Sequence, residues 1–309
     1  MHRNDLASGS SSFSMCSVRV WHLPHNLDLG HRMNKTAELA YWINEREHMR
    51  IKKEETDLSP PWSVDPAMAS VRYCNIRREE DRVTRWIAKH WRTPLAGSPH
   101  LTLAMVAARM INWPETLALI PLENIGKPLW FDTIKWIIKK GQQDHRKMWT
   151  SAYTISTCGR SMPKEDYVVD HVLREVATRD WSYRSGTKLA YEHEKLMKVD
   201  GLGSFLAAQV VADLKNTPGH PLSKTPDYWS WSAPGPGSLR GLSDYWGLKV
   251  TPGTYQPKIE AAYNEVKPHL YPYVGALHMQ DFQNTLCEFS KFMRVKEGDG
   301  RVRNKYHPG

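Results

Sequence analysis

Residues 199–214 read VDGLGSFLAAQVVADL, and the fold is decided there. Gly201 and Gly203 allow a tight turn, and the apolar run from Phe205 to Leu214 then takes a helical period. A helix over Tyr191–Met197 precedes the turn, so residues 190–214 are expected to form two helices joined by a glycine turn. Upstream, TAELAYWINEREHMRIKKEE from Thr36 places Leu39, Trp42, Ile43 and Met49 at near-helical spacing. Pro60, Pro61 and Pro66 then force a loop. Further helices are expected over Arg78–Trp91, Leu101–Asn112, Leu129–Lys140, Glu165–Arg179 and His278–Arg294. Strand signals are few: Val18–Trp21, and Met148–Thr157, whose β-branched and aromatic residues suit a strand as well as a helix. The expectation is a mainly α protein. Residues 1–15, with a Ser-rich run, should be a disordered tail, and 16–309 one helical domain.

The 309 residues carry 42 Lys+Arg against 33 Asp+Glu, a net charge of +9, with 13 Trp and 13 Tyr. Cations that hold phosphates beside aromatic faces that stack on bases suit a nucleic-acid partner. Large core aromatics under a solvated basic surface explain the same counts. The most apolar stretch, Leu101–Met110, is interrupted by Arg109 and is far short of the roughly 20 residues of a membrane span. Four scattered cysteines form no CxxC pair and suit a reducing compartment. No secretory signal, metal site or cofactor is expected.

Other segments have the residue types for chemistry. A glycine turn between helices lets backbone N–H groups approach a DNA phosphate, and it serves equally as a plain structural turn. Residues 232–242, SAPGPGSLRGL, gather Gly235, Gly237, Ser238 and Arg240 into a candidate anion cradle, or an ordinary Pro/Gly surface loop. They match no G-x-x-x-x-G-K-[ST] phosphate loop, which disfavours an ATPase. On the last helix Asp281, Glu288 and Lys291 share a three-and-four spacing beside an apolar seam of Phe282, Leu286, Phe289 and Met293. They line a pocket or form solvated ion pairs. The dense mixed charge of residues 72–86 reads most simply as a solvated helix face.

The helical hairpin resembles that of base-flipping DNA glycosylases. Asp227 lies about where that superfamily keeps an aspartate, whereas no lysine follows Gly203 before Lys215, so the lyase nucleophile is missing. Taken together, CNIRREEDRVTRW, ARMINWPET, VDGLGSFLAAQVVADL, APGPGSLRGL and QDFQNTLCEFSKFMR resemble the α-glutamyl/putrescinyl thymidine pyrophosphorylase clade, also called amino acid:DNA transferases. Its helical domain is shared with 5-hydroxymethyluracil DNA kinases. The resemblance implies a helical, glycosylase-like domain acting on double-stranded phage DNA that contains 5-phosphomethyluracil. There the phosphate is replaced by an amine, glycine first and glutamate or putrescine as others. The product shields the DNA from restriction, and the enzyme works in the cytoplasm of an infected bacterium.

On that reading the base is flipped into a pocket. Gly201 and Gly203 hold a backbone phosphate, with Gly235, Gly237 and Arg294 as further anion contacts. Arg240, Ser238 and Arg109 bind the leaving phosphate. Asp281 or Glu288 accepts the amine's proton, with Lys291 and Asp227 as further catalytic candidates. Asn112, Asn75 and Arg78 contact the base. Addition of Cys287 to C6 of the uracil and proton transfer by His278 are further options. A kinase of the same clade, a monofunctional glycosylase and a non-catalytic DNA-binding protein are the alternatives.

Overall fold

The computed structural model describes residues 35–184 and 186–298. The expected strand at Val18–Trp21 and tail at 1–15 lie outside them. The fold is mainly α, with no strand among the described residues. Its principal helices are α1 (Lys35–Glu55), α2 (Arg82–Ile87, running on through a π turn Ala88–Arg92), α3 (Leu101–Ile111) and α4 (Pro128–Gln143). Next come α5 (Lys164–Asp166, the π-helical Tyr167–Leu173 and Arg174–Thr178), α6 (Leu189–Met197) and α7 (Ser204–Lys215). The chain closes with α8 (Pro236–Trp246), α9 (Pro252–Val266) and α10 (Met279–Lys296).

Local chemistry sets the boundaries. The Asp81 carboxylate accepts the N–H groups of Val83 and Thr84 and starts α2, so the expected helix from Arg78 is a 3-10 turn followed by a break. Pro128, Pro236 and Pro252 stand in the first turn of α4, α8 and α9, where a missing N–H costs nothing. Asn112 ends α3 in the left-handed region at φ 44. Two expectations are corrected. Met148–Thr157 is irregular: Thr150 N–H bonds to the Ile111 carbonyl as an isolated contact and no ladder follows. The tract Ala233–Gly241 is not a surface loop, because from Pro236 it is helix α8.

The glycines of α8 are there for packing. A Cβ on Gly241 would lie 2.0 Å from the carbonyl oxygen of Leu286, and one on Gly237 would lie 2.1 Å from Cys287 Sγ. Side chains are thus excluded where α8 and α10 cross, and their backbones nearly touch. Two hydrophobic cores result. One is built from residues between Ile87 and Leu222, with Trp91, Trp130, Ile134 and Tyr167 at its centre. The other joins Leu39–Ile76 to Leu242–Met293, around Trp42, Tyr255, Phe282 and Phe289. The chain therefore leaves the second core, builds the first, and returns. Segments 77–81 and 223–235 make the two crossings, and polar residues collect at the seam.

Candidate functional site

The extended segment Arg72–Arg78 reaches the seam along α10, and α10 side chains hold it. Lys291 donates to the Arg72 carbonyl, Glu288 accepts the Cys74 N–H at 3.2 Å, Asn284 donates to the Asn75 carbonyl at 3.1 Å, and Asp281 accepts the Arg78 N–H at 3.0 Å. One helix face thus supplies four partners for a backbone that has no strand beside it among the described residues. Arg46 of α1 binds the Cys74 and Tyr73 carbonyls and the Asn75 side chain from the opposite side. Glu288, Lys291 and Asn75 are therefore engaged in holding this segment.

This segment forms a strap along α10, and at its end it brings Arg78 to Asp281 at the seam, against residues of α3 and α7 from the first core. Asp213 is fully buried and takes a fork of two bonds from Arg109, 2.6 Å from Nε and 2.5 Å from Nη2. Arg109 Nη1 also reaches Thr84 Oγ1 at 3.2 Å and Asn112 Oδ1 at 3.5 Å. Burial alone would depress the Arg109 guanidinium, but the Asp213 carboxylate outweighs it and raises its pKa. Arg92, paired in a fork with Glu79, comes within 3.7 Å of the same Asp213.

Lys215, at the end of α7, is 1 % exposed. Its Nζ donates to the Tyr228 carbonyl at 3.3 Å and sits 4.8 Å over the Tyr228 ring. Burial pulls its pKa down to about 8, opposed by the Asp281 charge. Asp281 is itself pushed up by burial, against the Arg78 N–H and Lys215. Its Oδ2 lies 3.6 Å from His278 Nδ1, and burial, then Lys215 and Arg77, lower His278 to about 4. His278 is therefore neutral at pH 7.

Arg78, Arg92, Arg109 and Lys215 meet Glu79, Asp213 and Asp281 in this cluster, and the Asp227 charge also acts on Lys215. The least satisfied of these cations is Arg78. Its Nε and Nη2 are buried without a hydrogen-bond partner, and burial with the nearby Arg109 charge depresses it to about 10. A buried guanidinium with unpaired N–H groups is costly unless an anion meets them. Arg92 Nε and, next to Asp281 on α10, Gln280 Oε1 are further buried polar atoms without a partner, while Gln280 Nε2 reaches the Ala208 carbonyl of α7 at 3.3 Å.

Of the residues singled out by sequence, Asp281, Arg78, Arg109 and Asn112 come together here. Arg240 and Arg294 are exposed and influence Cys287 on the outer side of the α8–α10 crossing. The Cys287 thiol packs on Gly237, and burial raises its pKa, which disfavours a thiolate nucleophile. The Ser238 hydroxyl is buried and exchanges bonds with the Gly235 backbone as part of the α8 cap, so the expected cradle is not an open loop. Asp227 accepts the N–H groups of Leu189 and Ala190 at 2.9 and 3.2 Å and caps α6.

In the α6–α7 turn Gly201 has φ +89, and a Cβ there would meet the Tyr167 hydroxyl at 2.6 Å. Gly203 faces open space. Phe205, which opens the apolar run of α7, is 48 % exposed and touches Tyr153 edge-on. Sequence reading missed Lys215, Asp213, Tyr228, Glu79, Arg92 and Gln280. A charged pair closing an otherwise apolar helix, Asp213 and Lys215 in ADLK, was the available signal.

No group of three or more His, Cys, Asp or Glu side chains is placed to hold a metal ion among the described residues, and no helix there is long and apolar enough to cross a membrane. No curated protein and no solved structure matches the chain significantly. A family model does: residues 34–301 match the one described as "5-hmdU DNA kinase, helical domain". The match takes in both cores, the strap and every residue of the seam, and the chain belongs to that family of DNA-modifying enzymes.

Proposed function

We propose that the seam receives a 5-phosphomethyl-deoxyuridine flipped out of phage DNA and exchanges its phosphate for an amine, in the cytoplasm of an infected bacterium. The observation that carries this reading is the buried, unpartnered guanidinium edge of Arg78, whose charge also acts on the buried Lys215. Two cations in a low-dielectric setting suit a phosphate dianion and stabilise it further as it leaves. In the exchange the amine nitrogen bonds to the methylene carbon as the C–O bond breaks, and phosphate departs with the bonding electrons. The proton lost from nitrogen goes to Asp281, whose raised pKa makes it a better base than an ordinary carboxylate. Gln280 Oε1, which lacks a partner, would accept from a uracil edge, and the Asn112 amide, which already accepts from Arg109, would contact the same edge. The open approach at Gly203 suits a DNA backbone phosphate.

The family description favours a second reading, phosphorylation of 5-hydroxymethyluracil in DNA. It makes the same demand on Arg78 and Lys215, to hold a phosphoryl group at the base. Nucleoside mass spectrometry distinguishes the two. DNA containing 5-phosphomethyluracil is incubated with the protein and glycine, glutamate, alanine or putrescine, and 5-hydroxymethyluracil DNA with ATP. A nucleoside carrying an amine in place of phosphate is expected. Phosphorylation in the ATP arm alone would replace this reading with the kinase, and loss of base with a glycosylase. Unchanged nucleosides in every arm would overturn both transfer reactions.

A further inference from the structure

Trp229 is 56 % exposed, in a loop that is otherwise fixed on all sides. Its own carbonyl accepts the N–H of Met279 at 2.9 Å, at the start of α10. The Tyr228 carbonyl takes Lys215 Nζ, and the Tyr228 hydroxyl reaches Asn216 Oδ1 at 3.2 Å. Asp227 caps α6, and Gln256 of α9 donates to the Ser230 carbonyl at 2.7 Å. Four helices therefore anchor residues 227–230. The indole itself leans on His278, with centroids 4.1 Å apart, and on Tyr228 at 5.6 Å. A singly exposed aromatic is ordinary on a protein surface, and Trp136 on α4 is one. Trp229 differs because its backbone is immobilised and because its two ring neighbours are themselves parts of the seam.

From this arrangement we infer that Trp229 is a stacking platform for an unpaired nucleobase of bound DNA, next to the Arg78–Lys215 phosphate site. The inference rests on the reading that the seam acts on a DNA base. An unstacked base loses its neighbours in the duplex, and a half-exposed indole on a fixed backbone, propped by His278 at 59° and Tyr228 at 78°, replaces one of them without sequence preference. The flanking charges suit the rest of a nucleotide, since Lys215 is about 5 Å from the Tyr228 ring that adjoins the indole.

The test uses DNA carrying 5-iododeoxyuridine at one position, cross-linked to the full chain by long-wavelength ultraviolet light, with the adduct mapped by peptide mass spectrometry. Affinities for the same DNA are measured for the wild type, Trp229→Ala and Trp229→Phe. The adduct is expected on the peptide containing Trp229. Trp229→Ala should bind about tenfold more weakly, which at about 1.4 kcal/mol per factor of ten equals one lost base stack. Trp229→Phe, which keeps a flat ring, should stay within about threefold of the wild type. A purely structural role would weaken both variants alike and lower their melting temperatures. An adduct mapped elsewhere, or wild-type affinity in Trp229→Ala, would overturn the inference. These readouts need neither amine nor ATP, so a protein that stacks on DNA but converts no base refutes the reaction alone.

Discussion

Replacing Asp213 with Asn removes one charge and almost no volume from the most deeply buried ion pair. In the wild type both carboxylate oxygens are met by Arg109 at 2.6 and 2.5 Å, and Arg92 stands 3.7 Å away. Arg109 is 3 % exposed and Asp213 0 %, so solvent cannot take over the lost partner. Breaking such a pair by removing one member costs about 3–5 kcal/mol, because the remaining charge stays buried. Against a total stability of about 5–15 kcal/mol that is a large fraction. Urea denaturation followed by far-ultraviolet circular dichroism at pH 7 reads it. For a slope near 3 kcal/mol/M the midpoint should fall by about 1 M or more, with the slope unchanged. The double variant Arg109→Met/Asp213→Leu should recover most of the loss, since a well-packed apolar pair can replace a buried ion pair with little change. A loss below about 1 kcal/mol in Asp213→Asn would refute the reasoning, because it would mean that water reaches the cluster.

Three further outcomes are expected. Lys215 is depressed to about 8 by burial, so between pH 8 and 10.5 the unfolded chain binds more protons than the folded one, and stability rises with pH across that window. Lys215→Met should therefore be more stable than the wild type at pH 7, by about 2 kcal/mol, with the difference closing above pH 8, while its activity is lost; thermal melts over pH 6–10 check this. His278 and His220 are both lowered to about 4, chiefly by burial, so the stability that depends on keeping them neutral disappears as pH falls from 6.5 to 4, and denaturation midpoints should track that range. Gly241→Ala should destabilise by about 3 kcal/mol or more, measured by urea denaturation, because its Cβ would meet a backbone carbonyl at 2.0 Å rather than a side chain able to move.

The helices with a clear apolar period, α1, α3, α4, α7 and α10, could be read directly from the sequence. α8 could not: Pro236, Gly237 and Gly241 carry the composition of a loop, whereas one supplies a first-turn residue and the others allow close contact with α10. α9 opens on Pro252-Gly253 and holds Pro257 within it, and was masked in the same way. The site divides on similar lines. Asp281 stood out as a charge beside an apolar face, and Arg78 through a charge-dense segment. The residues that complete their setting, Asp213 and Lys215, pair with partners 104 and 13 positions distant and follow no local period. Glu288 and Lys291 share the spacing of Asp281 but bind backbone, because an extended segment needs partners for its N–H and C=O groups and the helix face beside it supplies them.

Arg78→Met tests the central claim most directly. The substitution keeps the backbone N–H that binds Asp281 and removes only the guanidinium whose Nε and Nη2 lack partners. The measurement is the rate of phosphate replacement in 5-phosphomethyluracil DNA, alongside the melting temperature. The expected result is a rate about a hundredfold or more below wild type, the effect of losing one preorganised donor at a developing charge, with the melting temperature unchanged or raised. Wild-type turnover by Arg78→Met would contradict the claim that this buried guanidinium holds the departing phosphate.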